Sequence, residues 1–251
     1  MPRSDPPRPR APHVAAERPL PPRDQGSGER AVRIPAGKVL LDADLVLPRS
    51  GKGVVIFAHG SGSGRHSPRN REVAQLLHGR GVGTLLLDLL AEREARTDEL
   101  TAEYRFNIPL LTERLLAATD WIVAQPETEG LRVGYFGAST GGAVAMIAAA
   151  RRAGVVSAIV LRGARSDLGD SEASAIRCLT LILVGGDDGT IRAANARTMQ
   201  LLRCEKELTV IPGASHLFEE PGALEAVAVR TADWFDRYLS RSEQSLVTGR
   251  A

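Results

Sequence analysis

The 251 residues predict an α/β fold, with one open, mostly parallel central sheet flanked by helices and a leading antiparallel hairpin. Three observations predict it. From Val54 onward, short apolar runs of strand length alternate with helical stretches, the order that builds a parallel sheet through helical crossovers. Some of these runs are apolar throughout, as strands covered on both faces are. Turn-forming clusters rich in Gly, Pro, Asp and Ser follow the runs.

Composition fits such a domain. With 43% hydrophobic and 25% charged residues, the chain is ordinary for a soluble globular protein, and it is long enough to bury a sizeable core. A net charge of +2 points to no nucleic-acid partner. The basic residues are nearly all Arg, with lysine only at Lys38, Lys52 and Lys206. Two cysteines, Cys178 and Cys204, make neither a disulfide framework nor a zinc site. The N-terminus lacks the apolar core of a secretory signal, and no apolar run approaches the roughly twenty residues of a membrane span. A soluble, cytoplasmic protein without a membrane partner is expected.

Residues 1–30 are rich in Pro and Arg and lack apolar periodicity, so they are expected to form a disordered tail. Residues 31–240 form the expected domain, and 241–251 a frayed end. Order is expected from Val32, with strands at 32–35 and 38–47 joined at Ala36-Gly37. Val54-Val55-Ile56-Phe57-Ala58 is a buried strand, and it runs into the glycine-dense loop HGSGSGRHS at 59–67. Ser67 and Pro68 read as the N-cap and first position of a helix over 68–80, with Val73, Leu76 and Leu77 on its apolar face. Residues 82–87 form another strand. The charged stretch 91–103 is a cap over the site or a solvated helix, and charge runs favour the solvated face. A long amphipathic helix spans 107–125, ended by Pro126.

The sequence LRVGYFGASTGG at 131–142 is the centre of the chain. An apolar strand runs into Gly137-Ala138-Ser139-Thr140-Gly141, and an Ala-rich helix over 143–152 follows at once. A strand–turn–helix of this kind projects a serine from the top of a sheet, and the two glycines remove the Cβ atoms that would clash. Strands at 155–161 and 179–184 flank a connection of little periodicity. A helix over 191–202, a last strand at 208–211 and a closing amphipathic helix over 221–239 complete the domain.

A serine nucleophile needs a base, and the base needs an orienting acid. Parallel strands bring their carboxyl ends to one edge. His216 follows the last strand on the edge where Ser139 emerges, and is the candidate base. Of the other histidines, His13 lies in the tail, His78 is expected at the surface, and His59 and His66 belong to the glycine loop, His59 shaping it by hydrogen bonding. Asp187 and Asp188 follow the penultimate strand, with Asp167 and Asp170 as weaker candidates one strand earlier. The order Ser, Asp, His suits this fold. The glycine loop lacks the ending of a P-loop and reads as an oxyanion loop, whose backbone N–H groups face a tetrahedral intermediate. Arg162 and Arg165 lie past a strand on the same edge, where they hold an anionic substrate or are surface arginines.

From about Val32 to Leu239 the chain resembles an α/β-hydrolase, and within that fold the dienelactone hydrolase-related family. The matching pieces are HGSGSGRHSPRN, GASTGG, GGDDGTI and PGASHLFEEPG. The resemblance implies hydrolysis of a small-molecule ester or lactone with no metal or organic cofactor. It places the acid three residues before the aliphatic anchor Ile191, at Asp188, with Ser139 and His216 completing a triad. The oxyanion donors are then the backbone amides of Thr140 and Ser61, with Gly62 as a substitute. Dienelactone hydrolases proper use a cysteine where this elbow has Ser139, so acyl transfer carries over and the dienelactone substrate does not. Two other readings share the fold: a perhydrolase or acyltransferase using the same triad, and a binding or scaffold module.

Overall fold

The structure is a computed structural model and describes residues 28–49 and 51–240. Most of the expected tail and the whole of 241–251 lie outside the described residues. β1 (Arg30–Ala36) and β2 (Val39–Val46) form the antiparallel hairpin, turned at Gly37 with φ 68°. β1 thus opens at Arg30, ahead of the expected Val32.

β3 (Gly53–Ala58), α1 (Pro68–Gly79), β4 (Gly83–Leu87), α2 (Glu92–Thr101) and α3 (Ile108–Val123) follow. Then come β5 (Arg132–Ala138), α4 (Thr140–Arg151), β6 (Val156–Arg162), β7 (Leu179–Gly185), α5 (Gly189–Leu201), β8 (Lys206–Ile211) and α6 (Ala223–Leu239). The connection over 163–178 holds two short helical turns, Ser166–Leu168 and Asp170–Ala175. The eight strands lie in the order β1-β2-β4-β3-β5-β6-β7-β8. β2 pairs antiparallel with β4, and every pairing from β4 to β8 is parallel. The fold class expected from the sequence is met.

Two apolar layers hold the sheet between helices. On one face, Val73 and Leu77 of α1 and Val227 and Phe235 of α6 pack on Phe57, Phe136, Val160 and Leu183. On the other, Leu111 and Leu115 of α3 and Val144 and Met146 of α4 pack on Ile56, Tyr135, Ile159 and Ile182. β3 and β5 are buried along almost their whole length, which explains their unbroken apolar sequence. Edge strand β8 is mostly half-exposed and is shorter in apolar character. Side chains cap α1 and α3: Ser67 Oγ, the expected N-cap, accepts from Asn70 N at 3.4 Å, and Asn107 Oδ1 from Leu110 N at 3.1 Å. Among the described residues, no helix is long and apolar enough to cross a membrane. The parallel pairing sets the carboxyl ends of β3 to β8 along one edge, and the loops there build the candidate site.

Candidate active site

β5 delivers Ser139 to this edge, and α4 starts at the next residue. Ser139 has φ 51° and ψ −119°, a conformation that costs an L-residue of order 1–3 kcal/mol. Two glycines make room for it. A Cβ on Gly137 would lie 2.6 Å from the Gly141 carbonyl oxygen, and one on Gly141 would run into the carbonyls of Ala58 and His59 at the end of β3. Backbone bonds pin the turn: Ser139 N donates to Arg162 O at 3.1 Å, and Gly142 N and Arg165 N both donate to Ser139 O at 3.0 Å.

Three candidates from three loops meet here. His216 Nε2 lies 3.2 Å from Ser139 Oγ, and His216 Nδ1 lies 2.7 Å from Asp188 Oδ2. An ionised carboxylate only accepts, so Nδ1 carries the hydrogen and the Nε2 lone pair faces the serine hydroxyl. The other oxygen of Asp188 accepts from Ile191 N at 3.4 Å and caps α5. Asp188 therefore meets the imidazole from a position fixed by the helix start. Asp187 is exposed, and its amide donates to Ala214 O at 3.0 Å, joining the acid loop to the histidine loop. The two weaker acids are engaged elsewhere: Asp167 pairs with Arg165, and Asp170 accepts from Thr198.

Thr140 opens α4, so its amide has no carbonyl one turn back within the helix and faces the edge. Ser61 lies beside Thr140 at the elbow. Its amide donates to Thr140 Oγ1 at 2.9 Å, which ties the glycine loop to the elbow. The rest of the loop is fixed from behind. His59 Nδ1 donates to Gly60 O at 2.9 Å and its Nε2 accepts from Leu89 N at 3.1 Å, so the ring is neutral and both nitrogens are used. Burial holds the His59 pKa below the usual histidine value, against the Gly60 carbonyl and Asp88, which raise it. Asp88 accepts from Arg65 N at 2.6 Å and pairs with the Arg65 guanidinium. Asp44, 6% exposed, holds Arg71 at 2.6 Å and Arg65 at 3.6 Å. His78 is half-buried rather than at the surface, with Nε2 2.7 Å from Thr84 Oγ1. Both cysteines are free thiols just before β7 and β8, at the end of the strands opposite Ser139. Among the described residues, no cluster of His, Cys, Asp and Glu side chains could hold a metal ion.

A cavity of about 420 Å³ opens beside the elbow, between Ser61 and Thr140 on one side and α2 on the other. The charged stretch is thus more than a solvated face. Glu92, Arg93 and Arg96 do face water, but Asp98 is 4% exposed. Burial would raise its pKa, yet the amides of Arg105 and Tyr104 and the Arg105 guanidinium hold it below the usual carboxylate range. Asp98 fastens α2 to the chain beyond it, so α2 walls the cavity. A cap over the site is one of the two expectations for this stretch; Asp98 itself is not singled out by the sequence, because an Asp in a charge run looks solvated until its partners are known.

This sheet order, with a strained serine at its carboxyl edge facing a histidine and an acid, defines an α/β-hydrolase. The Dienelactone hydrolase family profile matches residues 41–244, and the chain belongs to that family. A dienelactone hydrolase from Anabaena variabilis ATCC 29413 superposes with a TM-score of 0.85 at 49% identity, covering 86% of this chain and 100% of that one. Est1E from Butyrivibrio proteoclasticus shares the fold with a TM-score of 0.69 at 17% identity, covering 82% of this chain and 97% of its own. A "Putative phosphoribosyl transferase" of Mycobacterium tuberculosis is 46% identical over 211 residues, 84% of this chain and 47% of its own length. The chain spans about half the length of that relative.

Proposed function

We propose that the chain is a serine hydrolase that cleaves a carboxylic ester or lactone of a small molecule through Ser139, His216, Asp188 and an acyl-enzyme. The observation that carries this reading is the continuous relay, 3.2 Å from Ser139 Oγ to His216 Nε2 and 2.7 Å from His216 Nδ1 to Asp188 Oδ2. His216 takes the proton as Ser139 Oγ attacks the carbonyl carbon, and Asp188 stabilises the imidazolium that forms. Collapse of the tetrahedral intermediate expels the alcohol, which receives that proton. Water, deprotonated by His216, then releases the acid and restores Ser139.

The Thr140 amide is the first oxyanion donor. The Ser61 amide, held at the elbow by Thr140 Oγ1, is the second, shared between that oxygen and the developing charge. Each such donor contributes on the order of a hundred- to a thousand-fold in kcat. The substrate's larger half occupies the cavity under α2. The test is pre-steady-state turnover of p-nitrophenyl acetate alongside a panel of small lactones. A burst of one nitrophenolate per chain followed by slower turnover is expected; no hydrolysis of any ester or lactone would sink the reading.

A further inference from the structure

Ala158 and Val160 of β6 face the core between the sheet and α1 and α6, and Arg162 continues that alternation at the end of the strand. There it is 7% exposed, and its Nε and Nη1 are buried with no hydrogen-bond partner among the described residues. Two other arginines are held by partners. Arg165 is paired through two nitrogens with Asp167 at 2.9 and 2.8 Å, and Arg114, 9% exposed and on the other face of the sheet, reaches Glu94 at 2.9 Å and the Ala36 carbonyl, with only its Nε left without a partner. Around Arg162 there is instead the Phe218 ring, 5.9 Å from its Cζ, and a second cation, Arg69 of α1. Arg69 Nη1 reaches Glu219 at 2.9 Å, while its own Nε is also buried without a partner.

A buried cation without a counter-ion is costly, and an aromatic face offsets only a small part of that cost. Burial, with Arg69 adding to it, pushes the Arg162 pKa down to about 10, so the guanidinium keeps its charge at neutral pH. Its position is at the chemistry. The Arg162 carbonyl accepts from Ser139 N at 3.1 Å, and a Cβ on the next residue, Gly163, would lie 3.5 Å from His216 Nδ1. Phe218 is two residues beyond His216 on the same loop. The cavity under α2 has the opposite character. Asp42, Asp88, Glu92, Asp98 and Glu99 line it against two guanidiniums, Arg65 and Arg105.

We propose that Arg162, with Arg69 beside it, is an anion subsite that receives a carboxylate or phosphate carried by the substrate. The proposal rests on the ester-hydrolase reading for the word substrate, and adds to it the class: an ester with an anionic substituent on one half. The fork of nitrogens on Arg162 matches the paired oxygens of either group. The carboxylates on the other side of the elbow turn the anionic end away from α2, so the two sides together fix which way the ester lies.

The experiment compares two esters with one leaving group, p-nitrophenyl propionate and the mono-p-nitrophenyl ester of succinate, at constant ionic strength. Wild-type chain is expected to favour the succinate ester in kcat/KM. Arg162→Gln is expected to reduce that preference about tenfold or more, since a polar site discriminates through the partner it loses, and Arg162→Lys to recover part of it. An equal loss on both esters in Arg162→Gln overturns the proposal, because it marks a structural role. Should Arg162→Gln not fold, wild-type chain still decides: free succinate or inorganic phosphate competes with the neutral ester, and whichever competes identifies the group. No competition by either, together with no preference for the succinate ester, also overturns it. Calorimetry on Ser139→Ala with inorganic phosphate and with succinate separates this subsite from the hydrolase reading. Anion binding there that Arg162→Gln abolishes keeps the subsite even if no ester is ever turned over.

Discussion

Replacing Asp188 by Asn isolates the electrostatic part of the proposed relay. Asn keeps the size of the side chain and still offers an oxygen to Ile191 N, so the cap on α5 survives and the melting temperature should hardly move. What is lost is the negative charge 2.7 Å from His216 Nδ1. Unit charges at that distance attract by roughly 6 kcal/mol at an effective dielectric constant near 20. The His216 side chain is 36% exposed against 13% for Asp188, so solvent screens part of this. About 4–5 kcal/mol remains as transition-state stabilisation, or roughly a thousand- to ten-thousand-fold in rate. The amide can also turn its NH₂ to Nδ1 and favour the wrong tautomer, which acts in the same direction. The assay is kcat/KM on one activated ester for Asp188→Asn and Asp187→Asn together. Asp187 is exposed, and its contact with the histidine loop is through its backbone, so its variant should lose about tenfold at most. If Asp187→Asn is the dead variant, or Asp188→Asn stays within tenfold of wild type, the assignment of the acid is wrong.

Three further outcomes follow from the same geometry. Thr140→Val removes the acceptor of the Ser61 amide, and kcat should fall on the order of tenfold with KM little changed; a rise in kcat would mean that the bond competes with the oxyanion instead of positioning its donor. Gly141→Ala drives a Cβ into the carbonyls of Ala58 and His59, which are backbone and cannot rotate away, so the variant should fail to accumulate as folded protein by circular dichroism. His59 and His78 both have pKa values lowered by burial, so their neutral forms stabilise the fold fully above the ordinary value of 6.5. That contribution is lost as pH falls from there towards their lowered values, and the melting temperature should drop between pH 7 and pH 5, less steeply in His59→Gln.

The strands and the serine turn were legible because their signals are local. Val54 to Ala58 and Val133 to Ala138 are apolar on both faces because both faces are covered, and Gly137 and Gly141 follow from the space an elbow leaves. His216 and the pair Asp187 and Asp188 were legible through topology, since parallel strands bring loops distant in sequence to one edge, and the family resemblance singled out Asp188, the one that bonds the imidazole. The acceptor of the Ser61 amide was not, because it is a side chain 79 residues away whose rotamer no pattern encodes. Asp98 does not stand out in the charged stretch because its burial depends on the amides of Tyr104 and Arg105 folding back over it. Arg162 and Arg165 look alike in sequence, and only the fold gives Asp167 to one of them and Phe218 to the other. The connection between β6 and β7 shows no helical period because its turns are too short to repeat one.

The central claim, that Ser139 is the nucleophile, is tested most directly by treating the chain with a fluorophosphonate and locating the adduct by peptide mass spectrometry. One adduct is expected, on Ser139 and absent from Ser139→Ala, with a loss of roughly a million-fold in kcat in that variant on the precedent of other serine hydrolases. An adduct on any other residue, or ester turnover undiminished in Ser139→Ala, would contradict it.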